Sequence, residues 1–360
     1  MPYVMGRSVL AQVDTVFRAA KPRLSTPPTH FLLNLSERCQ LRCAHCITHA
    51  PTLTEAGTAK VMGVEVLDAL TPHLEHAAWV GLTHAGEPTL APMLDPLLER
   101  LRRARRSRAT VVHVVTNGMA LTERRFLELV GKGVTSWSFS LDGDTPETND
   151  TLRLGAKVVV LKQRLRRFVE LRRSNGLDVR LGVSCTVTRS NVHEVARVAA
   201  FVTTAGLDWL KLEETFASNE RAADEARVTP EAVAKAVDEA ALVCAPAGVQ
   251  LVDHTRTHEV WKCRPAVMSE ADQAFSRADD FANRVDLNPC RLPWQLLCVE
   301  ADGQVKPENF HQPAVGNLLE TDLTTLWNAP PFVARRKFSA SQRRCDGAPT
   351  CVADAGPRHW

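Results

Sequence analysis

Strand-like and helix-like segments alternate through the first 214 residues of this 360-residue chain, and this alternation limits the possible folds more than any other feature. Six apolar runs are typical of strands that are covered on both faces. They occupy residues 30–35, 77–84, 109–118, 134–143, 179–187 and 207–214, with helical patterns between them, as at 122–130 and 157–173. Right-handed βα units predict an α/β fold with a parallel sheet that curls toward an open or partial barrel. A doubly wound sheet fits the same pattern.

Polar or glycine-containing turns follow the predicted strands at the edge of the sheet where parallel α/β folds place their chemistry. The second strand runs into Ala85-Gly86-Glu87-Pro88, the third into Thr116-Asn117-Gly118, and the fourth into Ser140-Leu141-Asp142-Gly143, with Arg153 and Gly155 beyond. Each turn alone is ordinary turn chemistry. Their order and placement together indicate one site.

Three cysteines directly after the first strand form a C-x3-C-x2-C cluster, Cys39, Cys43 and Cys46. Three thiolates can each hold one iron of a [4Fe-4S] cube and leave the fourth iron open to another ligand. A structural zinc ion requires four ligands, so a zinc site would have to borrow His45 or His49. The spacing therefore favours a cluster with an open iron.

The motif, with its sub-pattern C-x-L-x-C-x-H-C, resembles the radical S-adenosylmethionine (radical SAM) enzymes whose C-terminal extensions are SPASM or twitch domains. The resemblance implies a partial (β/α)6 TIM-like barrel, in which SAM chelates the open iron and is cleaved to a 5′-deoxyadenosyl radical that removes a hydrogen atom from the substrate. A reducing system such as flavodoxin or ferredoxin is the implied partner. The residues implied to lie near SAM are His45, Gly86, Glu87, Thr116, Asn117, Ser140, Asp142 and Arg153. Ala85 replaces the first glycine of the G-G-E-P motif. Alanine preserves the function of the motif if the φ angle of Ala85 is negative.

The C-terminal region resembles a small twitch-type auxiliary iron-sulfur domain, with a hairpin that turns at Asp302 and Gly303. The family pattern has a cysteine where this chain has Glu308. Four cysteines nevertheless remain, the number one auxiliary [4Fe-4S] cluster requires, and Glu308 or His311 is a substitute for the second of them. These predicted ligands are Cys290, Cys298, Cys345 and Cys351. The alternative is a degenerate domain whose thiols are buried and structural.

The predicted organisation has four parts: a helical extension (1–28), the barrel (29–225), a connecting helix with a lid-like segment (226–289) and the auxiliary domain (290–360). A net charge of +3 argues against a nucleic-acid or membrane partner. No apolar run approaches the roughly 18 residues of a membrane span. Ten unevenly spaced cysteines favour metal ligation in a reducing compartment, so a cytoplasmic location is expected.

The substrate is the least constrained feature. Only 38 residues precede Cys39, few for the leader-binding domain that peptide-modifying members commonly carry. A short N-terminal segment with a twitch-like tail resembles enzymes of aminoglycoside-type antibiotic biosynthesis. The resemblance implies that this enzyme abstracts a hydrogen atom from a carbinol carbon of a sugar or aminocyclitol. Glu213 and Glu214 end the sixth strand, where either can bind an amine or act as a base.

An epimerase is the leading prediction, because the thiol of Cys185 near the end of the fifth strand can return a hydrogen atom to the substrate radical. Alternation along the strand instead turns Cys185 toward the helices; Cys263 and Cys244 are the reserve donors. A dehydrogenase and a peptide-modifying enzyme with a separate leader-binding partner are the alternatives. A plain iron-sulfur electron carrier or a zinc-binding module would have no use for the ordered strand-end turns.

The cluster assignments predict the iron content. Anaerobically reconstituted protein should hold about eight irons per chain, in two cubes of about four each. Replacing Cys39, Cys43 and Cys46 together with alanine should leave about four irons and abolish SAM cleavage. Colorimetric iron analysis checks this, and a triple variant that keeps all its iron would refute the first assignment.

Overall fold

A computed structural model describes residues 22–82, 85–104, 110–255, 292–307 and 312–341, and its centre is a ten-stranded sheet. All six predicted strands are present. The strands are β1 (His30–Leu33), β2 (Arg42–Cys43), β3 (Trp79–Leu82), β4 (Val111–Thr116), β5 (Ser136–Ser140), β6 (Arg153–Leu154), β7 (Arg180–Val187), β8 (Trp209–Glu214), β9 (Gln250–His254), β10 (Leu296–Val299), β11 (Gln304–Pro307) and β12 (Gly316–Asn317).

Helices connect the strands as the alternation predicts. Thr122 caps the helix that follows β4 by accepting a hydrogen bond from the Arg125 backbone N–H, and Gly206 ends the helix before β8 with φ 75°. The helices are α1 (Ala50–Glu55), α2 (Val64–Leu70), α3 (Leu94–Ala104), α4 (Glu123–Gly131), α5 (Pro146–Leu152), α6 (Val158–Ser174), α7 (Val195–Ala205), α8 (Glu220–Glu225), α9 (Pro230–Cys244), α10 (Leu323–Trp327) and α11 (Pro330–Ser341). No helix in the described part of the chain is long and apolar enough to cross a membrane.

The strand order is β12-β11-β10-β1-β3-β4-β5-β7-β8-β9, and every neighbouring pair from β10 to β9 is parallel. The predicted partial (β/α)6 barrel is therefore confirmed, and the doubly wound alternative is wrong, because β1 to β8 follow one another across the sheet without a reversal of strand order. The sheet extends beyond the prediction at both ends, with β9 beside β8 and β10 beside β1.

The two faces of the sheet differ in chemistry. Phe31, Val80, Val112 and Leu181 pack against the helices and are 0% exposed. The alternate residues face the lumen of the barrel. Aromatic rings fill the part of the lumen near the amino ends of the strands. Neighbouring rings in this row have centroids 6.1–6.4 Å apart, in the order His30, Trp79, His113 and Trp209.

Two glycines make room for this stack. A Cβ atom at Gly81 or at Gly182 would lie 2.0 Å from the ring of Trp79 or Trp209, respectively. Burial lowers the pKa of His30 to about 4, so its imidazole is neutral at pH 7. The aromatic rings therefore close the amino end of the lumen, and a ligand can approach from the carboxyl ends of the strands.

The C-terminal hairpin belongs to the barrel sheet. Its strands β10 and β11 turn through residues 300–303, which include Asp302 and Gly303, as the sequence predicts. Gly303 adopts φ 84°, which only glycine takes readily. Strand β10 then pairs in parallel with β1 through His30 and Leu296. Residues 1–21, 256–291 and 342–360 lie outside the described residues, so the domain boundaries stay predictions.

Arg336 on α11 joins three distant segments of the chain. Its guanidinium is fully buried and donates hydrogen bonds to the carbonyls of Pro22 (3.0 Å), Pro293 (2.8 Å) and Trp327 (2.8 Å). It also lies 4.2 Å from the centroid of the Trp327 ring. Burial lowers the pKa of Arg336 to about 9, which still leaves it charged at neutral pH. One cation thus holds the segment before β1 and the segment before β10 against α10.

Arg336→Met should lower the free energy of unfolding by about 2 kcal/mol or more, because the buried carbonyls of Pro293 and Trp327 lose their donor and each unsatisfied group costs about 1–3 kcal/mol. Lys337→Met, at an exposed position of the same helix, is the matched control and should change stability little. Urea unfolding of both variants checks this. Equal effects of the two substitutions would contradict the proposed role of Arg336.

Candidate active site

The loop that carries the three cysteines is held at its centre by a short antiparallel ribbon. Strand β2 pairs with β6 so that Cys43 lies opposite Arg153, and the Ala44 backbone N–H donates to the carbonyl of Leu152 at 2.8 Å. The loop that follows β1 is thereby attached to the segment that follows β5. The parallel sheet places both at its carboxyl edge.

The cysteine sulfurs face hydrogen-bond donors. The Sγ atom of Cys39 accepts from the Leu41 backbone N–H at 3.4 Å and from the Asn117 side chain at 3.8 Å, and that of Cys43 accepts from Arg153 Nη1 at 3.7 Å. Cys39, Cys43 and Cys46 are all partly exposed. Burial raises the pKa of Cys39 to about 12 and that of Cys43 above its ordinary value. Both thiols are therefore protonated at neutral pH when no metal is bound, and a metal that binds them displaces their protons.

This donor set fits an iron-sulfur cube better than a single metal ion. Within the described ranges, no three His, Cys, Asp or Glu side chains converge on one metal ion. A cube distributes its thiolates over different irons, and donors directed at the ligand sulfurs stabilise their charge. The alternative zinc site fits less well, because His45 Nε2 is already paired with the Asp142 carboxylate at 3.0 Å.

The Gly86-Glu87 turn after β3 lies directly against the segment that leads to Cys39. Gly86 has φ 61°, and a Cβ atom there would lie 2.2 Å from the carbonyl oxygen of Ser36 and 2.5 Å from that of Arg38. The Glu87 backbone N–H donates to the Arg38 carbonyl at 2.8 Å. The condition on φ at Ala85 stays a prediction, because this angle depends on residue 84, which lies outside the described residues.

Glu87 uses both carboxylate oxygens within the protein. Oε1 accepts from Thr116 Oγ1 at 2.7 Å and from Thr89 Oγ1 at 2.6 Å, and Oε2 accepts from the Asn117 backbone N–H at 2.9 Å. Burial raises the pKa of Glu87 even though these donors favour its charged form. The Asn117 side chain then accepts from Gln40 at 3.0 Å. Glu87 and Thr116 therefore connect the turns after β3 and β4 to the cysteine loop; a direct SAM contact for either residue stays a prediction.

Glu213 places a carboxylate in the lumen, at the end of β8. Its Oε1 pairs with Lys211 Nζ at 2.6 Å, and its Oε2 accepts from Ser184 Oγ at 3.1 Å. Burial alone would raise the pKa of Glu213, but Lys211, His254 and Ser184 outweigh it and hold the pKa below its ordinary value. Lys211 and Ser184 are not among the site residues predicted from the sequence, although alternation along β7 and β8 places both on the lumen face.

Ser140 and Glu214, which are also predicted site residues, have fewer observations that support a role in the lumen. Ser140 is partly exposed at the end of β5 and lies opposite Ser184 in the sheet register. Glu214 is also partly exposed, but it follows Glu213 directly, so alternation turns its side chain to the other face of β8. Glu213 is thus the better placed of the two predicted carboxylates.

Cys185 lies on the helix-facing side of β7. It is 0% exposed in the apolar core, and burial raises the pKa of its thiol well above the ordinary value. The neighbouring Ser184 is on the lumen side instead. Cys244, a reserve donor, is also buried in the core, and Cys263 lies outside the described residues. This geometry weighs against the predicted hydrogen donation by Cys185.

Only one predicted ligand of the auxiliary cluster lies within the described residues. Cys298 is on β10, 1% exposed, and opposite Leu32 in the register with β1. The other predicted ligands, together with Glu308 and His311, lie outside the described residues. The ligand set of the auxiliary cluster therefore stays a prediction.

Comparison with known families agrees with this geometry. The sequence profile of the radical SAM superfamily matches residues 33–202, which hold the cysteine loop and the strand-end turns. Residues 33–202 therefore form a radical SAM domain. The profile of the SPASM iron-sulfur cluster-binding domain matches residues 290–351. This radical SAM enzyme therefore uses SAM with a SAM-binding [4Fe-4S] cluster, and it has an auxiliary iron-sulfur cluster in its SPASM region.

Two curated relatives carry the name PqqA peptide cyclase. The protein of Streptomyces rochei is 26% identical over 336 residues, which cover 91% of this chain and 84% of the relative. The protein of Rhizobium meliloti is 30% identical over 151 residues, 39% of this chain and 36% of the relative.

Solved structures support the fold. Streptococcus suis SuiB bound to the precursor peptide SuiA superposes with a TM-score of 0.62 at 14% identity, covering 91% of this chain and 69% of that chain. The enzyme anSMEcpe with bound AdoMet and the Cp18Cys peptide gives a TM-score of 0.58 at 18% identity, covering 84% and 81%.

Gly86→Ala should reduce the iron of the first cluster and SAM cleavage together, because its Cβ would displace the backbone before Cys39. Gly57→Ala is the matched control: Gly57 has φ 69° but no atom within 4 Å of the added Cβ, so it isolates the cost of the positive φ, about 1–2 kcal/mol. Iron analysis and 5′-deoxyadenosine release measure both variants. Equal iron loss in the two would show that backbone strain alone is responsible.

Proposed function

We propose that this radical SAM enzyme modifies a peptide and that its reaction joins two residues of that peptide into a ring. The observation that carries the proposal is the similarity to a PqqA peptide cyclase along 91% of the chain. The leading expectation from the sequence, a sugar or aminocyclitol epimerase, has no comparable support. The peptide-modifying alternative replaces it.

The lumen is suited to an extended ligand that enters from one side. Aromatic rings fill its amino end, and the cysteine loop, the Gly86-Glu87 turn and the turns after β4 and β5 lie together at its carboxyl end. Glu213 is 38% exposed, whereas its partner Lys211 is 7% exposed. The carboxylate is therefore the part of this ion pair that a substrate can reach.

Ring formation between two C–H positions removes two hydrogens and two electrons from the peptide. When bound, SAM would supply the 5′-deoxyadenosyl radical that takes the first hydrogen with its electron, and the auxiliary cluster would supply an acceptor for the second electron. The second hydrogen would leave as a proton, for which Glu213 is the base. The ion pair with Lys211 and the hydrogen bond from Ser184 keep Glu213 deprotonated and oriented before the reaction.

The placement of the thiols favours ring formation over epimerisation. An epimerase must return a hydrogen atom to the substrate, and a thiol is the natural donor. Cys185 and Cys244, the described cysteines outside both predicted ligand sets, are buried in the apolar core. Ring formation needs no such donor.

The proposal is tested with anaerobically reconstituted enzyme, SAM, dithionite and synthetic peptides that correspond to the short reading frames beside the gene. A peptide substrate should lose two hydrogen atoms per ring in high-resolution mass spectrometry, with stoichiometric 5′-deoxyadenosine. A parallel panel of aminocyclitols and aminoglycosides should remain unchanged. Modification of that panel alone would contradict the proposal, and a peptide that gains one deuterium in D2O without mass loss would indicate epimerisation.

Glu213→Gln should slow product formation by roughly 10²–10⁴-fold, the usual contribution of a general base, and leave SAM cleavage intact. The reason is that hydrogen abstraction precedes the loss of the proton. The ratio of 5′-deoxyadenosine to cyclised peptide measures this uncoupling. If Glu214→Gln uncouples the reaction and Glu213→Gln does not, the base is Glu214.

A further inference from the structure

Asp142 is the most deeply buried charged group beside the cysteine loop. It is 0% exposed, and its Oδ2 contacts His45 Nε2 at 3.0 Å and forms an ion pair with Arg153 Nε at 2.5 Å. Its Oδ1 accepts a hydrogen bond from the Thr186 backbone N–H at 2.8 Å. Burial alone would raise the pKa of Asp142, but Arg153 and His45 outweigh it and hold the pKa well below its ordinary value. The carboxylate is therefore ionised in a dry environment.

The backbone of Asp142 is fixed as firmly as its side chain. Its N–H donates to the Asn149 side chain at 2.9 Å, and its carbonyl accepts from the Asn191 side chain at 2.6 Å. Asn191 is itself fully buried and also donates to the Thr186 carbonyl at 2.7 Å. Asp142 is thus attached to the ends of β5 and β7, which are rigid parts of the sheet.

Both side-chain partners of Asp142, His45 and Arg153, lie in segments that hold the cluster ligands. His45 lies between Cys43 and Cys46 in the sequence, and Arg153 lies opposite Cys43 in the β2–β6 ribbon. Arg153 also directs Nη1 at the Cys43 sulfur from 3.7 Å. A single buried carboxylate therefore holds the two segments that place the second and third cysteines.

We propose that Asp142 is a positioning residue that anchors the [4Fe-4S] loop and balances the charge of Arg153 beside Cys43, and that it makes no contact with SAM. Both of its oxygens are occupied by protein groups, and none of its surface is exposed. This assigns to Asp142 a function different from the SAM contact that the sequence motif suggests.

The proposal fixes the sign of two electrostatic effects. Removing the carboxylate in Asp142→Asn leaves the guanidinium of Arg153 uncompensated beside Cys43, which stabilises the reduced, more negative cluster and raises its midpoint potential. Removing the guanidinium in Arg153→Met leaves the carboxylate instead and lowers the potential. Opposite shifts from two substitutions in one ion pair cannot arise from general loosening of the fold.

The experiment compares reconstituted wild-type enzyme, Asp142→Asn, Arg153→Met and the control Asp144→Asn, and it uses no peptide, so its outcome is independent of the proposed function. Asp144 is two residues from Asp142 but pairs with Lys162, outside the cluster support. Iron retained after gel filtration, the EPR-monitored potential of the SAM-binding cluster and the Kd for SAM per loaded cluster are measured for each.

We expect Asp142→Asn and Arg153→Met to lose iron from the first cluster and to shift its potential in opposite directions, and we expect Asp142→Asn to keep the wild-type Kd for SAM. The control should match wild type in all three measurements. If Asp142→Asn does not fold, a lowered potential in Arg153→Met still supports the proposal, and an unchanged or raised one overturns it. Normal iron and potential with weakened SAM binding in Asp142→Asn would make Asp142 a SAM ligand and overturn the proposal.

Discussion

Parallel pairing of the strands is the constraint on which this structure depends, because it brings the carboxyl ends of the strands to one edge of the sheet. Three acidic side chains lie at that edge: Glu87 after β3, Asp142 after β5 and Glu213 at the end of β8. Each has a different set of partners and, in consequence, a different task. The chemistry of the site is thus distributed over loops that are far apart in sequence and adjacent in space.

The partners of the three carboxylates decide what each can do. Glu87 receives only neutral donors, so burial dominates and its pKa is raised. Asp142 pairs with Arg153 and His45, and Glu213 pairs with Lys211; the pKa of each carboxyl group is lowered. Complete burial of Glu87 and Asp142 suits them to hold neighbouring loops in place. The partial exposure of Glu213 suits it to exchange a proton with a ligand.

Local patterns in the sequence predict the elements and the cysteine motif, because strand and helix periodicity and ligand spacing are local properties. Alternation also predicts that Cys185 faces the helices, and the structure agrees; the hydrogen-donor hypothesis followed the family resemblance instead. Lys211 lies two residues from Glu213 on the same strand, so alternation places both on one face; the partners of Asp142 and the bond from Ser184 to Glu213 could not be predicted, since they join segments that are distant in sequence. The pairing of β1 with β10 joins His30 to Leu296 and has no local signal at all.

That distant pairing connects the two iron-sulfur regions of the enzyme. The segment after β1 leads to Cys39, and the segment after β10 contains Glu300, which accepts a hydrogen bond from Asn34 at 2.9 Å. Lys60 pairs with Asp302 of the hairpin at 2.7 Å. Because β1 and β10 share a ladder of hydrogen bonds, a displacement of the SPASM hairpin would be transmitted to the start of the cysteine loop. The auxiliary region is therefore built into the barrel sheet, and substitutions in the hairpin should be interpreted for their effect on the first cluster as well as on the second.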